Sequence, residues 1–214
     1  MSTPNTPTRT IAVVSAGLSQ PSSTRLLADR LADATVRRLT EHGFETKVEV
    51  VELRDVARDV TNNLLAGFPS PSLADVIEKV TGADGLIAVT PIFTTSFSGL
   101  FKSFFDVIDP TALDGMPIVI GATGGTERHS LALEYAMRPM FTYLHGVVVP
   151  TSVYAASADW GSAADTVKSL PDRIERAAGE FASLVAASDR SNLVKDPFDL
   201  EGDFSSMIGG FQAE

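Results

Sequence analysis

The fold is decided by residues 11–31, IAVVSAGLSQPSSTRLLADRL, which pass from an apolar run through a polar turn into a helical pattern. The first residues, IAVVSA, predict a buried parallel strand. Residues 24–40 predict a helix that ends at His42-Gly43 and carries on one apolar stripe Leu26, Leu27, Leu31, Ala34 and Leu39. Between the two, residues 15–25 hold four serines and a threonine. A strand that turns directly into a helix is the first half of a βαβ unit.

The remaining chain repeats this alternation. Further strands are predicted at 46–53, 85–91, 117–123 and 146–155, and Pro150 in the last one indicates a sheet edge or a strand end. Further helices are predicted at 72–81 with a Ser72 cap, and at 98–107, 130–144 and 163–187. The order predicts an α/β fold, a flavodoxin-like doubly wound five-stranded parallel sheet with helices on both faces.

The domain organisation follows from the same pattern. Residues 1–188 are predicted to form one domain, because 214 residues suffice for one substantial core and no linker interrupts them. Residues 189–214 form an acidic C-terminal tail that also carries phenylalanines. Two interpretations stay open for the tail: a disordered end, or an arm docked on another surface, which we favour.

Composition excludes several classes of function. There is no cysteine and there are three histidines, so neither a disulfide, a cysteine nucleophile nor a metal site is predicted. The net charge of −10 argues against a nucleic-acid partner. The polar start of the chain and the absence of a long apolar run predict no signal peptide, no membrane span and a cytoplasmic location.

The loops that carry function can be named in advance. In a doubly wound sheet the ligand lies beyond the carboxyl ends of the strands, here at loops 15–24, 90–98 and 121–130. In the first loop, serine and threonine hydroxyls beside free helix N–H groups make a neutral cradle for a phosphate dianion. Helix capping alone is an equally weighted interpretation. The loop lacks GK[ST] and GxGxxG, which disfavours a nucleoside triphosphate or a Rossmann-bound dinucleotide.

The other two loops favour a flat ligand. The second segment, TPIFTTSFSGLFKSFFD (90–106), opens with a short polar piece free of carboxylates, which suits a neutral ring and a polyol chain better than a metal. The third, GATGGTERHSL (121–131), offers another glycine-rich turn.

These three segments, in this order, resemble the NADPH-dependent FMN reductase family, flavodoxin-like enzymes that supply reduced flavin to two-component monooxygenases. More narrowly, SAGLSQPSST and ATGGTERHSLALEYAMRP are similar to an actinobacterial branch that partners luciferase-like flavin monooxygenases. Phe93 stands where the family often has tyrosine. Gln20 stands where many members have arginine, which removes a charge-assisted hydrogen bond of about 1.5–3 kcal/mol and predicts looser FMN binding.

The resemblance implies an FMN reductase that transfers a hydride from NADPH or NADH to FMN and supplies reduced FMN to a partner monooxygenase. No catalytic side chain is implied, because N5 of the flavin accepts the hydride. The residues implied in cofactor binding come from all three loops: Ser15, Gly17, Gln20, Ser22, Ser23, Thr24, Pro91, Ile92, Phe93, Thr94, Ser96, Thr123, Gly124, Gly125 and His129.

Several polar side chains near these loops have two interpretations each. Lys102 and Asp106 are four residues apart, and a surface ion pair is favoured over an acid–base pair. His129 contacts the cofactor edge or caps the following helix, with equal weight. Arg128 is more consistent with a solvated side chain than with a ligand for the 2′-phosphate of NADPH.

The aromatic residues predict core and assembly. Trp160, Phe101, Phe104 and Phe105 are assigned to the core or to a subunit contact. The segment 130–144 carries more apolar surface than one sheet-facing stripe can hide, which predicts a homodimer or homotetramer.

The same scaffold is compatible with other functions. A quinone or azo reductase with bound FMN differs in the final acceptor, and a flavodoxin-type electron carrier lacks turnover of pyridine nucleotides. A receiver domain is excluded, because it needs acidic residues where this chain has Ser15 and Thr90.

Overall fold

The computed structural model describes residues 6–160 and 169–190. Its centre is a sheet of seven strands: β1 Thr8–Ser15, β2 Glu45–Glu52, β3 Gly85–Phe93, β4 Ser96–Phe97, β5 Pro117–Gly124, β6 Val147–Val148 and β7 Val153–Ala156. The order is β2-β1-β3-β5-β6, with β7 also pairing β5 and β4 pairing β3. All pairings are parallel except the short β3–β4 hairpin. This order confirms the doubly wound, flavodoxin-like sheet.

Six α-helices accompany the sheet: α1 Ser23–Glu41, α2 Ala57–Ala66, α3 Pro71–Thr81, α4 Gly99–Asp106, α5 Arg138–Tyr143 and α6 Leu170–Ala187. A π-helical turn, Leu133–Met137, leads directly into α5. Short 3-10 turns cover Leu53–Val56, Glu127–His129 and Ser157–Trp160. In the part of the chain that is described, no helix is long and apolar enough to cross a membrane.

Both faces of the sheet are covered, which explains why its central strands are apolar throughout. In β3, Leu86 and Ala88 belong to the core cluster that contains Phe101 and Phe141. The alternate residues Ile87 and Val89 belong to the opposite cluster, under α1 and α6. Because successive side chains of a strand point to opposite faces, only a strand buried on both sides needs this composition.

Helix α1 matches its prediction in extent but not in every residue. The Arg25 N–H donates to the Ser22 hydroxyl at 3.2 Å, which caps the helix. Gly43, with φ of +83°, follows the helix end. Leu27, Leu31, Ala34 and Leu39 are buried, but Leu26 is 44% exposed, so its place on the apolar stripe was wrong. Leu26 lies about 100° around the helix from Leu27 and faces away from the sheet.

Three boundaries also differ from the prediction. The cap of α3 is Ser70 rather than Ser72, because Pro71 occupies the first helical position, where its missing N–H costs nothing. Helix α6 begins at Leu170 after a Ser169 cap, and residues 163–168 of the predicted helix lie outside the described residues. The strand predicted at 146–155 is two strands, β6 and β7, separated at Pro150, and both pair with β5.

Helix α2 was missed entirely. Its segment, ARDVTNNLLA, lacks a side-chain cap and buries only Val60 and Asn63. A weak apolar face and no start signal leave little in the local sequence to predict a helix.

The C-terminal tail is described only at its start. Arg190 is buried, and its guanidinium donates to the carbonyl oxygens of Ala83 at 2.9 Å and Ala112 at 2.8 Å. The chain therefore stays packed two residues beyond the predicted domain end at 188. Both interpretations concern the whole tail, residues 189–214, of which residues 191–214 lie outside the described residues.

Candidate functional site

A cleft of about 460 Å³ lies at the carboxyl ends of β1, β3 and β5. All three predicted loops reach it. Nine of the predicted cofactor residues line the cleft: Gly17, Ser23, Thr24, Pro91, Ile92, Phe93, Thr123, Gly124 and Gly125. The other six lie outside its lining: Ser15, Gln20, Ser22, Thr94, Ser96 and His129. The geometry brings the loops together, and the binding role of each residue remains a prediction.

The first loop, residues 17–23, is compact and depends on glycine. A Cβ atom on Gly17 would lie 2.0 Å from the Ser22 hydroxyl oxygen, so a side chain there would displace the residue that caps α1. Directly after the loop, the buried Thr24 and Thr123 hydroxyls are hydrogen-bonded at 2.8 Å. That bond fixes the first loop against the end of β5.

Ser15 ends β1 just before this loop and is 1% exposed. Its hydroxyl has no hydrogen-bond partner among the residues described. Buried polar groups are almost always satisfied, so a bound ligand or water atom is needed here. Gly17, where a Cβ would displace the Ser22 hydroxyl, and the N-terminus of a 19-residue helix fit a phosphate-bearing ligand such as FMN.

The second loop is a tight hairpin, residues 93–96, that sequence analysis missed. Phe93 pairs with Ser96, and the two residues between them, Thr94 and Thr95, have φ of 47° and 71°. A two-residue hairpin of type I′ needs positive φ at both turn positions, which glycine and asparagine adopt readily and threonine does not. The Thr-Thr sequence therefore gave no signal for this turn. Phe93, 48% exposed, presents its side chain to the cleft.

The base of the hairpin is better fixed than its tip. The Ser98 N–H donates to the Thr90 hydroxyl at 3.1 Å, and the Ser98 hydroxyl accepts from the Phe101 N–H to cap α4. Thr94 and Thr95 are exposed, and no side-chain hydrogen bond from either is found among the described residues.

The third loop is shaped by Tyr154 of β7. Its hydroxyl donates to the Thr126 carbonyl at 2.8 Å and occupies the space that a Cβ on Gly124 would need, 2.1 Å away. Burial, reinforced by the nearby Glu127 and Asp159 carboxylates, raises the pKa of Tyr154 above its ordinary value of 10.0. Tyr154 therefore remains a neutral donor, and the chain at Gly124 passes the cleft as bare backbone.

Four residues in the lining were not predicted as site residues: Leu18, Ser19, Ser157 and Trp160. Trp160 was assigned to core or subunit contact, and it does pack, partly buried, against the core cluster under α1 and α6, but it also lines the cleft. The guanidinium of Arg30 lies 5.1 Å from the centroid of the Trp160 ring, a cation–π contact. The sequence signal that could have indicated Trp160 as a site residue is its position in the polar segment SADWG, just after a predicted strand. Phe101, Phe104 and Phe105 are buried as predicted.

The remaining candidates stand away from the cleft. Lys102 and Asp106 form an exposed ion pair on α4, as the surface interpretation predicts. His129 ends the 3-10 turn Glu127–His129 and does not cap the helical segment that follows, which has no side-chain cap. Arg128 is exposed. Across residues 6–160 and 169–190, no group of three or more acidic or histidine side chains could hold a metal ion.

Comparison with known proteins assigns the scaffold. The family model for NADPH-dependent FMN reductases matches residues 9–161. The chain is 34% identical over 187 residues to an FMN reductase (NADPH) of Pseudomonas aeruginosa, covering 86% of this chain and 96% of that protein. It is also 34% identical over 183 residues to the NADH-dependent FMN reductase SfnE of Pseudomonas putida, covering 86% and 95%.

A solved structure is similar as well. The oxidoreductase from Corynebacterium diphtheriae superimposes with a TM-score of 0.81 at 42% identity, covering 85% of this chain and 99% of that one.

Proposed function

We propose that this chain, which belongs to the NADPH-dependent FMN reductase family, holds FMN in the cleft at the carboxyl ends of β1, β3 and β5 and delivers it, reduced, to a partner flavin monooxygenase. The chain is an oxidoreductase that reduces FMN with NADPH or NADH. The observation that carries the proposed binding mode is the first loop, where hydroxyls and helix N–H groups converge and Gly17 admits no side chain.

The phosphate is assigned to the N-terminus of α1. Ser23, the first residue of the helix, lines the cleft and is exposed, so its hydroxyl and the unpaired N–H groups of the first turn are free for a ligand. No lysine or arginine is among the described residues that line the cleft. The dianion is therefore held by neutral donors and the helix dipole.

The ring is assigned to the opposite wall. Pro91, Ile92 and Phe93 supply an apolar surface there, and Gly124 and Gly125 leave backbone open on the side of β5. When bound, the flavin supplies the hydride-accepting chemistry. Pro91, Ile92 and Phe93 would orient the ring and exclude water from it.

Release to a partner is supported by how open the cleft is. Leu18 and Phe93 are 54% and 48% exposed, so much of the lining is in contact with solvent. The Gln20 side chain is not in the lining, and with its amide oxygen turned toward Arg54 it accepts hydrogen bonds from that guanidinium. An uncharged, solvent-open phosphate site favours exchange of the flavin, which suits transfer to a luciferase-like monooxygenase.

Self-association is part of the proposal. In the segment 130–144, Leu133, Met137 and Phe141 are buried, while Leu131, Tyr135 and Tyr143 are exposed. Three large apolar side chains on the solvent side of one short segment favour burial against a second copy, as a homodimer or homotetramer. A light-scattering mass at the monomer value of 22.7 kDa would contradict it.

Two matched double variants test the phosphate assignment against capping alone. Ser22→Ala/Ser23→Ala removes the cap of α1 and its neighbouring hydroxyl, and Ser70→Ala/Ser72→Ala removes the cap of α3 and its neighbour. Each pair costs about 1 kcal/mol of stability through the lost cap. Only the first should weaken FMN, by about 10- to 100-fold for the lost hydrogen bond from Ser23 to a charged phosphate, in titrations of flavin fluorescence.

The controls separate binding from turnover. Oxidation of NADPH and NADH by the first variant should recover at saturating FMN, because no catalytic side chain has been removed. Equal FMN affinity in both double variants would reduce the first loop to ordinary capping and overturn the binding mode.

A further inference from the structure

Arg54 lies outside the cleft lining but is bonded to the first loop. It belongs to the 3-10 turn Leu53–Val56, which follows β2. Its guanidinium donates to the Ser19 carbonyl oxygen at 3.1 Å. With the Gln20 amide assigned so that its oxygen rather than its nitrogen faces Arg54, the guanidinium also donates to that oxygen, at 2.5 and 3.0 Å. Arg54 therefore bonds to two consecutive residues of the loop: to the main-chain carbonyl of Ser19 and to the side-chain amide of Gln20.

A carboxylate connects Arg54 to the other end of the loop. Glu52, 17% exposed, pairs with Arg54 at 2.5 Å and with Arg25 at 2.7 Å. Arg25 lies in the first turn of α1, and its N–H is the one that Ser22 caps. These contacts run from Ser19 through Arg54, Glu52 and Arg25 to Ser22. Both ends of the loop are therefore connected to the same acidic residue, Glu52.

Arg25 and Arg54 bring two positive charges to this network, Glu52 brings one negative charge, and the Arg54–Glu52 pair is mostly buried. Arg54 is 18% exposed, and it also lies 3.6 Å from Asp55. Without Arg54, Glu52 would keep one cationic partner and its partly buried carboxylate would face the loop that the phosphate is proposed to occupy. A carboxylate near a dianion is repulsive, and a half-satisfied charge network is costly.

We propose that Arg54 is a positioning residue for the flavin phosphate: it holds the first loop in its binding conformation and neutralises Glu52 without touching the ligand. This rests on the proposed function, because it presumes that the phosphate binds at this loop. The cation that the loop itself lacks at Gln20 is supplied by the 3-10 turn after β2, and it bonds to the protein rather than to the ligand.

The test uses two flavins that differ only in the phosphate. In the full-length Arg54→Ala variant, the dissociation constant for FMN should rise about tenfold or more, while that for riboflavin should stay within about twofold. The KM for NADPH and the rate at saturating FMN should be unchanged. Arg58→Ala is the matched control, since Arg58 is exposed one helical turn further on and has no ion pair with any described residue.

Three further variants divide the loss of FMN affinity between loop anchoring and charge. Gln20→Ala should reproduce the share that comes from anchoring the loop. Glu52→Gln in the Arg54→Ala background should recover the share that comes from the uncovered carboxylate. Arg54→Lys, which keeps the charge but not the fork of donors, should fall between wild type and Arg54→Ala. If Arg54→Ala fails to fold, Gln20→Ala and Arg54→Lys carry the same comparison of the two flavins.

The outcomes distinguish the positioning role of Arg54 from the phosphate assignment on which it rests. If wild type prefers FMN and Arg54→Ala keeps the same preference, the positioning role is overturned and the phosphate site stands. If Arg54→Ala weakens FMN and riboflavin equally, Arg54 supports the fold generally and the inference is also overturned. If wild type itself binds the two flavins equally, the phosphate assignment fails and the positioning role falls with it.

Discussion

The two walls of the cleft are built on opposite principles. The first loop, residues 17–23, is tied down by a helix cap, by Arg54 and by the buried Thr24–Thr123 bond that follows it. The hairpin, residues 93–96, ends in two threonines with positive φ and exposed side chains. Many contacts fix the conformation of the first loop. The hairpin keeps an unfavourable backbone conformation with few contacts to hold it.

The difference matches what each wall is proposed to hold. A phosphate is recognised by donors at fixed positions, so its loop gains from being rigid before the ligand arrives. The ring wall must receive a flavin, then a nicotinamide, and then release both. Strained backbone next to such a wall costs on the order of 1–3 kcal/mol per residue and persists only where the surroundings impose it.

The largest effect is expected where the rigid wall has no space. Gly17→Ala should weaken FMN by about a hundredfold, because the new Cβ displaces Ser22 and moves the loop N–H groups with it. Gly99→Ala is the control, since a Cβ there meets nothing within 4 Å. Fluorescence titration gives both affinities. A Gly17→Ala variant that binds FMN like Gly99→Ala would show that the loop tolerates rearrangement and that the contrast between the walls is false.

A second prediction concerns stability of the rigid wall. Thr24→Val leaves the buried Thr123 hydroxyl without its partner and should lower the free energy of unfolding by about 1–3 kcal/mol. Thr123→Val should do the same. The double variant should be less destabilised than the sum, because both polar groups are then gone. Urea unfolding measures all three, and strictly additive losses would mean that this bond does not tie the first loop to β5.

A third prediction is that substitutions at the hairpin raise the stability of the fold instead of lowering it. Thr94→Asn/Thr95→Gly should raise the free energy of unfolding by about 1–2 kcal/mol, because these residues adopt positive φ readily. The control Thr94→Ala/Thr95→Ala keeps the unfavourable backbone and should bring no such gain. Thermal unfolding separates the two, and equal melting temperatures would show that the hairpin is not strained.

The smallest effect is electrostatic and lies away from both walls. The hydrogen bond from Arg138 holds the pKa of Glu134 below its ordinary value of 4.5. A lowered carboxyl pKa stabilises the fold above pH 4.5 and loses that contribution as the pH falls through the folded value. Since the pair is partly exposed, Glu134→Gln should lower the melting temperature slightly at pH 7, with the difference from wild type shrinking as the pH falls below 4.5. A difference that is constant with pH would exclude the ion pair as its cause.

The strands and the position of the cleft could be predicted because their signals are local. The runs IAVVSA, GLIAVTP and PIVIGAT are apolar throughout, which occurs in strands buried on both faces, and parallel topology then puts their following loops together. The hydroxyls of the first loop and Gly17 were visible as a phosphate-binding pattern for the same reason.

What could not be predicted depends on contacts distant in sequence. Arg54 donates a hydrogen bond to the Ser19 carbonyl, 35 positions away in the sequence, and the local sequence around either residue does not predict that bond. Trp160 reaches the cleft because β7 ends beside β5, which local pattern cannot show. The hairpin was missed for a different reason: its threonines contradict the preference of the turn, so local sequence pointed away from the structure.

The central claim is that the rigid wall holds the flavin by its phosphate. Parallel titration of the wild-type protein with FMN and riboflavin tests it most directly, because the two ligands share the ring and the ribityl chain. FMN should bind at least about tenfold more tightly than riboflavin, the equivalent of about 1.4 kcal/mol. Equal dissociation constants would contradict the account, since the first loop would then contribute nothing to recognition.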